Sequence, residues 1–324
     1  METKNPLILV AVSLLLVCLT ACGRSQEKKA QSTENDKVSL ESPLAFSVDS
    51  CFAYLVAQTD FGARVPGTPA HEACLDWLVS TLRRQGAAVQ LQKANLQAFN
   101  GVSLPSSNIT AQFNPSANER LLLAAHWDSR PVCDEDPDLA MLNEPVLGAN
   151  DGASGVAVLL ELARLMALQA PRIGVDLIFF DSEDYGNSDY DESFCLGSQY
   201  WASQAAKAGY TARYGIVLDM VGARGAVFKK EQVSARLAGD YVNAVWKRAS
   251  QLGLGSLFVD APGGIILDDH YYVNQAGVPC IDIIHYDNGF PSTWHTANDT
   301  PENIDPQVLG AVGRLMASLV YCPL

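Results

Sequence analysis

The segment that most restricts the fold of this chain is VDLIFFDSED, residues 175–184, in which an apolar run leads straight into acidic residues. Its apolar members, Val175 and residues 177–180, are β-prone types, and such a run is typical of a buried strand in a parallel sheet covered on both faces. Acids at the end of that strand place like charges together, which costs free energy unless a cation or shared protons relieve it. The segment therefore predicts an α/β sheet with a polar site at its edge.

Further along the chain, buried strands alternate with helices. The patterns predict strands over 87–96, 121–125 and 175–180, over the run from 214 that ends at Asp219, and over 278–284. They predict helices begun by Ser47 or Asp49, capped at Thr68, starting near Ala153, and spanning 197–208, 239–252 and the end of the chain. This order indicates one α/β domain with a mixed, mostly parallel central sheet flanked by helices.

Length and charge restrict the class of protein. With 324 residues, of which 48% are hydrophobic, the chain can bury a large core, and no linker divides it. The net charge of −14 argues against nucleic acid as a partner. Outside the first 22 residues the cysteines show neither CxxC nor Cys/His metal spacing, so their pairing stays open.

The first 42 residues carry no fold pattern. An apolar run over 7–19 is too short for a comfortable membrane span and predicts an export signal over 1–21. The residues LTAC before Gly23 resemble the lipobox of bacterial lipoproteins, which implies lipid attachment at Cys22; an ordinary signal peptide is the alternative. Residues 22–42 then read as a flexible tether, and 43–324 as the folded domain. The expected location is the periplasmic side of a membrane.

Acids and histidines cluster at strand ends and in the loops after them. The members are His126, Asp128, Asp151, Glu183, Asp184, Asp219, Asp268 and His295. In α/β sheets, sites form beyond the carboxyl ends of the strands. Each residue alone could cap a helix or face solvent, but together they would repel without a divalent ion. Carboxylate and imidazole ligands suit a catalytic zinc ion, with manganese or another first-row metal as the alternative.

The motifs HWDSR, GANDGASGVAVLLELAR, FFDSED, LDMVG, LDDH and WHTANDTPENID occur in the order found in zinc-dependent exopeptidases. More narrowly, the chain resembles the glutaminyl cyclases of animal type, which share that fold. The resemblance covers most of the chain after residue 43. It implies a zinc-dependent enzyme that converts N-terminal Gln of peptides and proteins to pyroglutamate with release of ammonia.

Carried over position by position, the resemblance implies roles for individual residues. One zinc ion per chain would be bound by Asp151, Asp184 and His295. Glu183 would be the general acid/base, and Asp219 and Asp268 a hydrogen-bonded carboxyl pair beside it. The substrate pocket would be lined by Trp294, Phe290 and Ile266. This chain has Asp184 where animal enzymes have Glu, and Leu267 where an amide is usual; the role of segment 185–201 stays open.

Two other functions fit the sequence. A dizinc aminopeptidase would use His126 and Asp219 for a second metal ion, with Asp151 bridging both. The third interpretation is a binding protein that has the fold of these enzymes but no catalytic activity. We expect a monomer.

Overall fold

This computed structural model describes residues 40–324, which belong to one compact unit. The predicted export signal, Cys22 and nearly all of the predicted tether lie outside the described residues. Within the described part, none of the helices has the length and apolar character needed to cross a membrane.

A six-stranded sheet forms the centre of the fold, in the order β1-β2-β4-β3-β5-β8. Its strands are β1 (Ala88–Gln97), β2 (Ser103–Phe113), β3 (Arg120–His126), β4 (Gly174–Phe180), β5 (Tyr214–Asp219) and β8 (Cys280–Ile284). β3, β4, β5 and β8 run parallel, whereas β2 pairs antiparallel with both β1 and β4. A separate parallel pair is made by β6 (Phe228–Lys230) and β7 (Phe258–Pro262). The predicted mixed, mostly parallel α/β sheet is confirmed.

Helices cover both faces of this sheet. They are α1 (Val48–Thr59), α2 (Pro69–Arg84), α3 (Ala153–Leu168), α4 (Leu196–Ala208), α5 (Gln232–Gln251), α6 (Asp269–Gln275) and α7 (Pro306–Tyr321). Side chains of β3 alternate between two cores: Leu121 and Leu123 pack in the larger one, which includes residues of α1, α3 and α7, and Leu122 packs in the smaller one, which includes residues of α4 and α6. Burial on both faces explains the apolar strands.

The helix caps agree with the sequence, but some boundaries do not. Ser47 and Thr68 accept backbone N–H groups at the starts of α1 and α2, as predicted. The helix predicted from residue 239 begins earlier, at Gln232, because Glu231 caps it and a kink at Ala238 masks its continuity. The last strand begins two residues later than predicted.

β2, the small β6–β7 sheet and α6 were not predicted. β2 was not predicted because it contains Pro105, and proline is unusual inside a sheet. The strand tolerates it because Pro105 pairs only with β1, and the pairing of β2 with β4 begins further on, at Ile109. This added hairpin makes the sheet mixed.

Candidate zinc centre and active-site cavity

The carboxyl ends of the parallel strands deliver the candidate site residues to one place. Asp219 is the last residue of β5, Glu183 and Asp184 follow β4, and Asp268 caps α6. The residues to which the family resemblance assigns a role line one cavity of about 260 Å³: Asp151, Glu183, Asp184, Asp219, Ile266, Asp268, Phe290, Trp294 and His295. The structure thus brings these residues together, and their individual roles stay predictions; His126 and Asp128, the other members of the predicted cluster, do not line the cavity.

Three buried side chains form the first possible set of metal ligands. Asp151, Asp184 and His295 offer ligand atoms within 4.8 Å of one another. The Nε2 atom of His295 lies 3.2 Å from Oδ1 of Asp184 and 3.6 Å from Oδ2 of Asp151. Oδ2 of Asp184 is buried without a hydrogen-bond partner. A buried carboxylate oxygen without a donor is available to bind a cation, so this set fits zinc.

A second possible set of ligands shares one member with the first. The Nε2 atom of His126, the last residue of β3, lies 3.0 Å from Oδ1 of Asp151 and 3.2 Å from Oδ1 of Asp219. Asp151 belongs to both sets. The geometry therefore accommodates the arrangement expected of a dizinc aminopeptidase as well as that of a single-zinc enzyme.

The turn that carries Asp151 is held from two sides. The carboxylate of Asp299 accepts the backbone N–H groups of Asn150 and Asp151, at 2.7 and 3.0 Å. Gly152 has φ +85°, and a Cβ there would lie 2.9 Å from Cε1 of His126. Glycine is thus needed both for the backbone conformation and for the close approach of His126.

Asp128 holds the loop after β4. Its carboxylate accepts the backbone N–H groups of Glu183 and Asp184, at 3.1 and 3.2 Å. Asp128 is therefore a support of the site and is not among the possible metal ligands.

Left-handed backbone conformations flank the site. Ser182, Met220 and His295 have φ values of +57°, +48° and +53°. Such values are uncommon for residues other than glycine and persist only where the surroundings enforce them. Ser182 precedes Glu183, Met220 follows Asp219, and His295 is itself a candidate ligand, so the strained residues coincide with the cavity.

The charged groups in the cavity shift one another's pKa values. Burial, together with the charges of Asp184 and Asp219, raises the pKa of Asp151 to about 6. Burial would lower the pKa of His295, but the charge of Asp184 and the contact with Asp134 raise it to about 9. The carboxylates around His295 thus favour its protonated form.

Glu183 is placed as an acid/base group. It faces the cavity partly buried, and loss of water contact raises its pKa well above the usual range, opposed by His126 and reinforced by Asp184. Burial and then Asp219 raise the pKa of Asp268 to about 6. A carboxyl group with a raised pKa beside other carboxyls can take up and return a proton near neutral pH.

Aromatic rings form one wall of the cavity. Phe290 stacks on Trp294 with ring centroids 4.2 Å apart, and Trp294 stacks on His295 at 3.6 Å. Ile266 contributes an aliphatic side chain to the same lining. The wall suits the methylene groups of a small side chain.

The acidic segment after Asp184 contributes residues that were not predicted. Ser188, Asp191 and Phe194 line the cavity. Trp201, at the end of the segment 185–201 whose role the sequence left open, packs instead against Phe180 and Tyr210 in the core. The sequence signal for Phe194 was weak because nothing in its spacing separates it from the other aromatic residues of the segment.

Comparison with known proteins places this geometry in context. The model of Peptidase family M28 matches residues 108–320. A glutaminyl-peptide cyclotransferase of Bos taurus is 27% identical, over 79% of this chain and 77% of its own length.

Solved bacterial structures are more similar. The glutaminyl cyclase of Porphyromonas gingivalis is 50% identical with a TM-score of 0.82, over 84% of this chain and 96% of that chain. A structure described as a leucine aminopeptidase precursor from Bacteroides thetaiotaomicron is 45% identical with a TM-score of 0.84, over 87% of this chain and 99% of that chain.

Proposed function

The chain belongs to peptidase family M28, and from this premise we propose that it is a zinc-dependent glutaminyl-peptide cyclotransferase. Its substrates are peptides and proteins with N-terminal Gln, as the names of its animal and bacterial relatives indicate. The observation that carries the proposal is the position of Glu183, which shares one cavity with the ligand set Asp151, Asp184 and His295 and with an aromatic wall. This set would hold one zinc ion.

The reaction closes a ring within the substrate. The α-amine attacks the carbonyl carbon of the Gln side chain, the new N–C bond forms, and the C–NH₂ bond breaks. Bound zinc supplies Lewis-acid polarisation of the side-chain carbonyl. Glu183 accepts a proton from the attacking amine and delivers it to the departing nitrogen, which leaves as ammonia.

The other cavity residues orient and support these groups. Trp294, Phe290 and Ile266 hold the Gln side chain folded back toward its own amine, which lowers the entropic part of the barrier. Asp219 and Asp268 support Glu183 as neighbouring carboxyls, since burial and the charge of Asp219 raise the pKa of Asp268 to about 6 and allow it to take up a proton close to Glu183.

Mass spectrometry of a short Gln-initiated peptide tests the proposal. The purified protein with zinc should remove one ammonia from the peptide, and Glu183→Gln should lower the rate by about 10²–10⁴-fold. Zinc content should stay unchanged in that variant, and Glu72→Gln, at an exposed position of α2, should behave as wild type. Near-normal turnover by Glu183→Gln would contradict the assignment of Glu183 as the general acid/base. A zinc-loaded protein without any reaction on N-terminal substrates would favour the binding-protein reading.

The dizinc aminopeptidase is the second candidate, because Asp151 belongs both to the set with Asp184 and His295 and to the set with His126 and Asp219. A Leu-initiated peptide in the same assay separates the two functions. Release of free Leu, with two tightly bound zinc ions per chain, would establish the aminopeptidase. An intact Leu peptide with one zinc ion per chain supports the cyclase.

We also propose that the enzyme is a monomeric bacterial lipoprotein on the periplasmic side of a membrane. The support is the sequence around Cys22 alone. Metabolic labelling with a fatty-acid analogue should mark the wild-type chain and Cys18→Ser but not Cys22→Ser. Label on the Cys22→Ser chain would overturn the lipid anchor, and light scattering of the purified protein tests the monomer.

A further inference from the structure

Two charged residues without a role in the reaction lie behind the zinc ligands. Asp134 has its Oδ1 atom 3.4 Å from Nδ1 of His295, on the side of the ring away from Asp151 and Asp184. The guanidinium of Arg130 donates to both carboxylate oxygens of Asp134, and its Nη1 atom also donates to Oδ1 of Asp184 at 3.2 Å. One Arg–Asp pair thus contacts two candidate ligands.

We propose that Arg130 and Asp134 form a positioning pair that prepares His295 and Asp184 for zinc. The pair rests on the zinc site of the proposed function. It adds a role for two residues that neither touch the substrate nor bind the metal ion.

The chemistry of imidazole gives the first reason. A neutral imidazole that binds zinc through Nε2 carries its proton on Nδ1, and a carboxylate that accepts this proton fixes the tautomer and the ring orientation. Asp134 faces Nδ1 of His295, and the backbone N–H of Glu135 donates to the carbonyl of His295 at 3.2 Å. The left-handed backbone of His295 is held by contacts of this kind.

Charge balance gives the second reason. Arg130 is almost completely buried and faces one oxygen of Asp184, so the other oxygen, Oδ2, is left for the metal ion. The ring of Phe194 lies under the guanidinium, with 5.4 Å from Cζ to the ring centroid. This cation–π contact and the bidentate pair with Asp134 limit the orientations of Arg130.

The pair also joins separate parts of the chain. Residues 130–134 follow β3, Asp184 follows β4, and His295 follows β8. A backbone hydrogen bond, from Glu135 to His295, joins the loop after β3 to the loop after β8, and side-chain contacts add to what fixes the relative positions of the three loops. The Arg–Asp pair supplies such contacts between all three loops.

Zinc affinity, measured by competition with a chromophoric chelator, tests the pair without reference to turnover. Asp134→Ala should weaken zinc binding about 10–100-fold, as loss of such a partner does in other zinc sites. Asp134→Asn should fall between Asp134→Ala and wild type, because its amide oxygen keeps an acceptor facing Nδ1 of His295. Glu135→Ala is the matched control: it removes an acid from the same exposed loop and keeps the backbone contact with His295.

Two further readouts separate positioning from general damage to the fold. The visible spectrum of the cobalt-substituted protein should change in Asp134→Ala but not in Glu135→Ala. Activity of Asp134→Ala should recover when zinc is added to saturation. If Asp134→Ala does not fold, Asp134→Asn decides the question. Zinc affinity of the folded Asp134 variants within about twofold of Glu135→Ala would overturn the proposal, whichever reaction the enzyme catalyses.

Discussion

The thiol of Cys195 lies 3.1 Å from Oε1 of Glu183. Burial raises the pKa of this thiol well above its usual range, so it stays protonated and donates to Oε1 of Glu183. The backbone joins the same residues, since the N–H of Cys195 donates to the carbonyl of Glu183 at 2.8 Å. Cys195 therefore fixes the orientation of the proposed acid/base group.

Replacing this donor should slow the reaction. An intramolecular hydrogen bond contributes about 0.5–1.5 kcal/mol, so its loss in Cys195→Ala should lower kcat by up to about 10-fold. Cys195→Ser keeps a donor and should retain more activity, and both variants should bind zinc normally. Cys51→Ala, at a buried thiol of α1, controls for the loss of a core sulfur. Wild-type kcat in Cys195→Ala would show that Glu183 is oriented without it.

Zinc binding should release a proton near neutral pH. The pKa of His295 in the metal-free protein is raised to about 9 by Asp184 and Asp134 against the effect of burial. Zinc binds only the neutral imidazole, so below this pKa the proton must leave. The apparent association constant should therefore rise about tenfold per pH unit from about pH 7 to pH 8.5.

Calorimetric titration of the metal-free protein with zinc, in buffers of different ionisation enthalpy, measures the protons released. We expect about one proton per zinc ion at pH 7.5. His295→Ala should abolish the release together with tight binding. A value near zero in the wild type would contradict the assignment of His295 as a ligand.

Much of the site could be predicted because strand ends and short motifs carry it. The position of the acids after β4 could be predicted because they directly follow an apolar strand, and the carboxyl ends of parallel strands lie at one edge of the sheet. Asp151 and His295 stand in motifs that resemble a known family. The parallel part of the sheet was predicted correctly for the same reason.

The supporting residues could not be predicted in this way. Arg64, Arg130, Asp134 and Cys195 act through loop conformations that bring together residues far apart in the chain. Arg64, for example, donates to the carbonyls of residues 147 and 148, and no periodicity encodes such a contact. β2 was missed because local propensity at Pro105 opposed a pairing that tertiary structure permits.

We expect Arg64 to contribute strongly to the free energy of unfolding. Its fully buried guanidinium donates to the carbonyls of Trp127, Leu147 and Gly148 at 2.7–2.9 Å. Lysine has one ammonium group and cannot reach all three acceptors with the geometry of the planar fork. We expect Arg64→Lys to lower the free energy of unfolding by about 2–4 kcal/mol.

Urea denaturation measures this loss. Arg83→Lys, at an exposed position of α2, should change the free energy of unfolding by less than about 0.5 kcal/mol. Equal stability of the two variants would mean that solvent replaces the contacts of Arg64. The carbonyls of Leu147 and Gly148 lie just before the turn that carries Asp151. Arg64→Lys should therefore also weaken zinc binding.

The two rings of the aromatic wall should have different roles: Phe290 should contact the substrate, and Trp294 should also support the candidate zinc ligand His295. Phe290 stacks on Trp294, whereas Trp294 also stacks on His295 at 3.6 Å. An aromatic pair contributes about 0.5–1.5 kcal/mol beyond its buried area, so Phe290→Leu should raise KM for a Gln peptide about 3–10-fold and leave zinc binding unchanged. Trp294→Leu should raise KM and weaken zinc binding as well, because it removes a ring that packs on a ligand.

Steady-state kinetics at saturating zinc and chelator competition distinguish the two residues. Phe99→Leu, at an exposed aromatic position outside the cavity, should match wild type in both measurements. If Phe290→Leu weakened zinc binding as much as Trp294→Leu, the stack would act as one unit behind His295. A change in KM alone for Phe290→Leu instead places the folded Gln side chain against its ring, at the end of the stack away from the zinc ligands.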